Sequence, residues 1–244
     1  MLIKVVNPNT TWSMTARIGA CARAVAGPGT SVEAVSPSMG PASIESHYDE
    51  ALAVPGLLDE IRKGEREGAD GYVIACFGDP GLDAAREIAS GPVVGIAEAA
   101  MHTASMLGRG FSVVTTLGRT TGRAWDLAGR YGMREACRGV HACEIPVLAL
   151  DTDPDARKIV TGACLDALYE DGSDVVVLGC AGMSDLCAQI SADIGAPVVD
   201  GVAAATLTVQ SLVTMRLSTG KRGEFAAPPQ KRYSGLLEDF TTGD

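Results

Sequence analysis

The sequence predicts an α/β fold of two pseudo-symmetric, Rossmann-like lobes, each a parallel four-stranded sheet flanked by helices, with the active site in the cleft between them. Three observations carry this expectation. Gly68-Ala69-Asp70-Gly71-Tyr72-Val73-Ile74-Ala75-Cys76 recurs as Gly172-Ser173-Asp174-Val175-Val176-Val177-Leu178-Gly179-Cys180, and in both a Gly-x-Asp turn enters an apolar run too short for a helix. Such runs read as buried parallel strands, and open α/β sheets take their ligands beyond the carboxyl ends of those strands. The copies also keep a common offset: the cysteines lie 180 − 76 = 104 positions apart, and Pro92-Val93-Val94 returns as Pro197-Val198-Val199 at 197 − 92 = 105. An offset near half the chain implies a duplicated unit, so the thiols at the two strand ends face each other if the lobes do.

Taken in order, residues 2–6 form the first strand and end in Asn7-Pro8-Asn9-Thr10-Thr11. That turn serves equally as a helix cap or as a substrate contact at a strand's carboxyl end. Met14, Ile18, Cys21 and Val25 then recur at helical spacing, with Asn9 or Thr10 as the cap and Gly27-Pro28-Gly29 as the stop. A second strand over 31–36 feeds a loop over 37–50 that is rich in Pro, Gly and Ser at its start, and reads either as a connection or as a flap over the site. A helix through Leu57, Leu58, Ile61 and Arg62 precedes the first cysteine-bearing strand.

The second lobe begins near Glu98 with a helix over 99–107. Phe111-Ser112-Val113-Val114-Thr115-Thr116 mirrors the first strand, which puts Thr115, Thr116 and Thr120 where lobe one has its Asn-Pro-Asn turn. A helix over 120–131, a strand near 145–150 and a helix over 154–169 lead to Cys180; Pro154 suits the first helical turn, with Thr152 or Asp153 as its cap. Leu207, Val209, Leu212, Val213 and Leu217 support a last helix that returns to lobe one, and from Lys221 the chain reads as a surface tail. Lobe one therefore comprises 1–97 and about 206–244, and lobe two 98–205.

Composition narrows the function. A net charge of −10 with no basic run or stripe argues against nucleic acid and anionic membranes as partners, and no apolar stretch approaches the length of a membrane span. Leu2-Ile3-Lys4-Val5-Val6 enters a strand at once, so no secretory or transit segment is expected. Seven cysteines, an odd count without a CxxC pair, read as free thiols in a reducing cytoplasm.

Five of those cysteines carry no functional argument: Cys21, Cys164 and Cys187 fall on apolar helical faces, and Cys137 and Cys143 flank an irregular stretch. Cys76 and Cys180 differ by position. Each precedes a turn into a helix, whose amino terminus is expected to lower a thiol pKa from about 8.5 toward or below neutrality, and the residues that follow, Phe77-Gly78 and Ala181-Gly182, let the backbone come close to a bound oxygen. Two similar groups on opposite faces of a carbon acid can exchange the roles of base and acid, which is what racemisation needs, and backbone N–H groups can hold the enolate between the two steps. No metal or cofactor is expected, because there is no dinucleotide or phosphate-binding glycine motif and no His/Cys cluster at zinc spacing. His47, His102 and His141 are scattered and receive no role.

Asn7-Pro8-Asn9-Thr10, Ser43-Ile44-Glu45, Val73-Ile74-Ala75-Cys76-Phe77-Gly78-Asp79-Pro80-Gly81 and Leu178-Gly179-Cys180-Ala181-Gly182-Met183 resemble the motifs of the hydantoin racemases. These belong to the aspartate/glutamate/hydantoin racemase superfamily, with the allantoin racemases as close relatives. The resemblance covers nearly the whole chain and is weakest in the tail. Amino-acid racemases of the superfamily typically place Asn-Thr and Thr-His after the two cysteines; Phe-Gly and Ala-Gly stand here, which suits a neutral ring better than a free α-carboxylate.

The resemblance implies cofactor-independent proton transfer at C5 of a 5-substituted hydantoin, and homo-oligomers. It implies Cys76 and Cys180 as the proton-transfer pair, with Asn9, Phe77, Gly78, Thr115, Thr116, Ala181 and Gly182 as substrate contacts. The nearest alternative is allantoin as substrate. A decarboxylase or cis-trans isomerase on this scaffold acts on two carboxylates, and no cluster of arginines is found near the motifs to hold them. A two-lobed binding protein is the alternative that needs no chemistry.

Overall fold

The computed structural model describes residues 1–241. The first half contains β1 (Leu2–Val6), α1 (Trp12–Val25), β2 (Ser31–Val35), α2 (His47–Glu67), β3 (Gly71–Ile74), α3 (Leu82–Ile88) and β4 (Val93–Gly95). Its strands are all parallel, in the order β2-β1-β3-β4. After α4 (Ile96–Ser105) the second half repeats the plan with β5 (Phe111–Thr115), α5 (Thr121–Arg130), β6 (Cys137–Ala142), α6 (Ala156–Asp171), β7 (Val175–Leu178), α7 (Cys187–Ile194) and β8 (Val198–Val199). That sheet is also parallel, in the equivalent order β6-β5-β7-β8, and α8 (Gly201–Thr214) follows it.

The apolar runs explain the strand order. Every residue of β3 and of β7 is buried, because each lies between neighbours in its sheet and under helices on both faces. The edge strand β6 instead alternates at its start, with Cys137 and Gly139 buried and Arg138 exposed. This polar pattern is why the strand expected near 145–150 lies earlier, at Cys137–Ala142. Ile145, Val147 and Leu150 are buried, but Val147–Asp151 is a 3₁₀ turn entered from Pro146, which has no N–H for a ladder.

Other local expectations shift by a few residues. Thr11, not Asn9 or Thr10, occupies the cap position of α1, while Asn9 Oδ1 accepts the Thr11 N–H at 2.9 Å. Asp155 caps α6, so Pro154 stands outside the helix and Asp153 Oδ1 accepts the Asp155 N–H at 2.9 Å. α4 begins at Ile96, earlier than Ala99. The last four residues of the 37–50 segment are the first turn of α2, capped by Ser46 Oγ, which accepts from the Asp49 N–H.

The two halves are closed on each other by α4 and α8, which pack together. A Cβ on Gly201 would stand 2.7 Å from the Ile96 carbonyl oxygen, so only glycine permits this approach. α8 also packs on β1, β3, β4 and α1 through Val202, Ala205, Thr206 and Val209. Leu207 and Leu217, expected on that face, are 43% and 52% exposed. The helix runs unbroken across residue 205, where the lobe boundary was expected. Beyond it the tail crosses the surface of the first half, where Lys221 Nζ donates to the Glu87 carbonyl and Arg62 lies over the Phe240 ring. Among the described residues no helix is long and apolar enough to cross a membrane.

Candidate active site

Equivalent strand ends converge on one cavity. Its volume is about 180 Å³. Four strand ends wall it: Asn7 and Asn9 after β1, Ala75 to Gly78 after β3, Thr115 and Thr116 at β5, and Gly179 to Ala181 after β7. Cys76 and Cys180, each two residues beyond its strand, both line this space. Duplication therefore delivers one thiol from each sheet.

The two sulfurs have matching surroundings. The Gly78 N–H donates to Cys76 Sγ and the Gly182 N–H to Cys180 Sγ, in each case from two residues further on. Such bonds favour the thiolate. Burial works the other way and is larger, pushing Cys76 up to about 12 and Cys180 up to about 11. Nearby negative groups add to the rise: Cys180, Asp79 and Glu50 at Cys76, and Cys143, Glu45 and Asp151 at Cys180.

The expected lowering toward neutrality is thus reversed. Cys180 is followed by a 3₁₀ segment, Ala181–Leu186, and Cys76 by a loop before the seven-residue α3, so no long helix dipole offsets the loss of water. Because charge on Cys180 raises Cys76, the thiols behave as one electrostatic unit, in which the first ionisation opposes the second.

Of the remaining expected contacts, Asn9, Phe77, Gly78, Thr115, Thr116 and Ala181 line the cavity. Asn9 is held by its Oδ1, which accepts from Asn7 Nδ2 and the Thr11 N–H, while its Nδ2 meets only the weak acceptor Met14 Sδ at 3.4 Å. That amide is left able to donate to a bound oxygen. Thr115 Oγ1 lies 3.0 Å from Thr120 Oγ1. Gly182 does not line the cavity: it stands behind Cys180, where a Cβ would meet Leu150 Cδ1 at 3.3 Å and Cys180 Sγ at 3.5 Å.

Residues distant in sequence complete the wall. Ile44, Glu45, Ser46, His47 and Glu50 come from the 37–50 segment, which therefore does reach the site. Arg119 and Arg123 come from the turn into α5 and from α5 itself, so arginines do stand at the motifs, contrary to their separation in sequence. Arg123 is already engaged, with Nη2 donating to Glu50 Oε1 and, at 2.8 Å, to the Gly78 carbonyl. Ile44 and Glu45 belong to the Ser43-Ile44-Glu45 motif of the family resemblance; no sequence spacing announces the other residues, for which the only hint was the length of the 37–50 segment. Among the described residues no three His, Cys, Asp or Glu side chains are grouped so as to hold a metal ion.

Comparison with known proteins agrees with this geometry. The Asp/Glu/Hydantoin racemase family model matches residues 3–209. A hydantoin racemase of Rhizobium meliloti is 47% identical over 236 residues, covering 96% of this chain and 98% of that protein. A hydantoin racemase of Pseudomonas sp. (strain NS671) is 45% identical over 241 residues, covering 98% and 97%. Among solved structures, allantoin racemase from Klebsiella pneumoniae superposes with a TM-score of 0.96 at 50% identity, covering 99% of both chains. With a full-length match, the repeated parallel sheets and paired strand-end cysteines, the chain belongs to the Asp/Glu/Hydantoin racemase family and is an isomerase of the racemase type.

Proposed function

We propose that this protein racemises 5-monosubstituted hydantoins by moving a proton at C5 between Cys76 and Cys180, without a cofactor. The observation that carries the reading is the placement of two thiols, from equivalent strand ends, on one small cavity, each with its own backbone N–H donor. In the reacting state one sulfur is ionised and the other is not. The thiolate takes the C5 proton, the electron pair moves to the adjacent carbonyl oxygen as an enolate, and the other thiol supplies a proton to the opposite face. The pair ends with its protonation states exchanged and the stereocentre inverted.

The wall supplies what this sequence of events needs. Asn9 Nδ2, with no strong acceptor of its own, donates to a ring oxygen as charge develops there. Phe77 and Ala181, both buried against the cavity, keep water from the sulfurs. Burial also makes each thiolate a stronger base than a thiolate in water, which suits a weakly acidic C–H, at the cost of a smaller ionised fraction at neutral pH.

Allantoin, a hydantoin with a 5-ureido group, is the second reading. The polar wall formed by Glu45, Ser46, His47 and Arg119 favours it, since a ureido group has both donors and acceptors to pair there. Support also comes from the 50% identity to an allantoin racemase.

The test follows optical rotation and C5 deuterium incorporation for single enantiomers of benzyl- and isobutyl-hydantoin and of allantoin in deuterated water. Wild type is expected to racemise at least one. Cys76→Ser and Cys180→Ser are each expected to lose racemisation by at least about three orders of magnitude, the scale of a lost acid-base group. Either variant racemising at the wild-type rate would remove the two-thiol mechanism. Wild-type inactivity on all three substrates would remove the substrate assignment.

A further inference from the structure

The two thiols are alike in their backbone donors but differ in how the glutamate beside each is neutralised, the other carboxylate near Cys180, Asp151, being paired with Arg17. Glu45 is near Cys180, and its oxygens accept from the Val147 N–H at 2.7 Å and from Ser43 Oγ at 3.1 Å, both neutral donors. Glu50 is near Cys76 and is paired with a cation, Arg123, which reaches it from α5 in the other half of the molecule. The same Nη2 donates to the carbonyl of Gly78, the residue whose N–H bonds the Cys76 sulfur. Arg123 Nε is buried without an acceptor, so its hold on this turn rests on that Nη2 pair.

We propose that Arg123 is a positioning residue for one half of the acid-base pair: by fixing the Gly78 turn and cancelling Glu50, it permits ionisation of Cys76 and leaves Cys180 unaffected. The proposal rests on the two-thiol reading above and deepens it. The charged and titratable groups facing Cys76 are Glu50 from α2, Asp79 from its own turn and Cys180 from the opposite half. Around the same cavity stand Arg123 from α5, Arg119 from the turn before it, and His47 and Glu45 from the 37–50 segment. Removing Arg123 leaves the Glu50 carboxylate uncompensated beside a sulfur that must become an anion, and frees the turn that donates to it. Removing the charge of Glu50 acts in the opposite sense.

Turnover alone cannot separate the thiols. Two enantiomers have equal free energy, so kcat/KM must remain equal in the two directions whichever thiol is impaired. The experiment therefore reads each sulfur directly, as the pH dependence of iodoacetamide alkylation of Cys76 and of Cys180 in the full-length protein, resolved by peptide mass spectrometry.

In Arg123→Gln, Cys76 alkylation at fixed pH is expected to slow by about tenfold, the size of one pKa unit, while Cys180 changes by less than about twofold. Arg123→Lys, which keeps the charge but not the guanidinium geometry, is expected to recover part of the loss. Glu50→Gln is expected to speed Cys76 alkylation. Equal slowing of both thiols, an unchanged Cys76, or slowing in Glu50→Gln would each overturn the proposal, and the Lys and Glu50 variants keep it testable if Arg123→Gln does not fold. These readouts need no substrate, so failure of the racemase assignment would leave them standing.

Discussion

Cys76 and Cys180 show how far burial can outweigh local backbone chemistry. One N–H bond per sulfur favours the anion, yet loss of water dominates and both thiols sit well above the ordinary cysteine range. The active form carries a single thiolate, and its fraction below both pKa values grows in proportion to hydroxide. kcat/KM is therefore expected to climb about tenfold per pH unit from pH 7 to 9. A pH–rate profile in non-nucleophilic buffers checks this, and a plateau starting below pH 8 would mean that these thiols are more acidic than their burial implies. Asn9 belongs to the same scale: its carbonyl is consumed by the turn that positions it, which leaves the amide for the ligand.

At the scale of elements, Asp79 ties the Cys76 turn to the helix that leaves the first sheet. It adopts φ +44°, and its carboxylate accepts from the N–H groups of Ala97 and Glu98 at the start of α4 and from Tyr131 Oη at 2.6 Å. Gly95 makes room, since a Cβ there would fall 2.2 Å from Asp79 Cγ. Burial raises this carboxyl from 3.8 to about 6 despite those donors. The folded state thus binds the proton more tightly than the unfolded chain, so Asp79 adds stability at low pH that is lost as pH rises through about 4 to 6. At about 1.4 kcal/mol per pKa unit the loss is about 3 kcal/mol. In thermal melts, Asp79→Asn is expected to remove that part of the downward slope between pH 4 and 6; parallel melting profiles of variant and wild type would refute it.

At the scale of the molecule, the halves share one interior. A single apolar cluster contains Val5 and Val73 of the first sheet with Val113, Val175 and Val177 of the second, joined through α4 and α8. Polar ties cross as well: Arg17 to Asp151, Arg130 to Asp83, and the Val147 N–H to Glu45. Each sheet also has a smaller apolar cluster on its other face, around Leu57, Ile61 and Ile74 in the first half and Val160, Leu178 and Ile190 in the second, but the shared cluster is the most extensive, so urea unfolding is expected to be one transition seen alike by far-ultraviolet circular dichroism and tryptophan fluorescence. Two resolved transitions would show that the halves are energetically separate. The Arg130–Asp83 pair adds specificity of closure more than stability, because both side chains are nearly half-exposed and screened by salt.

What the sequence determined by itself is the repeated plan. Apolar runs bounded by Gly-x-Asp can be satisfied only as buried parallel strands, and their equivalence places Cys76 and Cys180 at matching strand ends. The same logic put Asn9, Thr115 and Thr116 at or just beyond the carboxyl ends of strands, and all three line the cavity. It missed β6, whose edge position needs no apolar run, and it missed Arg119, Arg123 and Glu50, which sit on helix starts where no periodicity marks them, while Glu45 was marked only by the motif of the family resemblance. Only the packing of one half on the other decided that those charges meet at the sulfurs. It also decided the direction in which the thiols shift, since desolvation depends on everything that surrounds an atom and not on its neighbours along the chain.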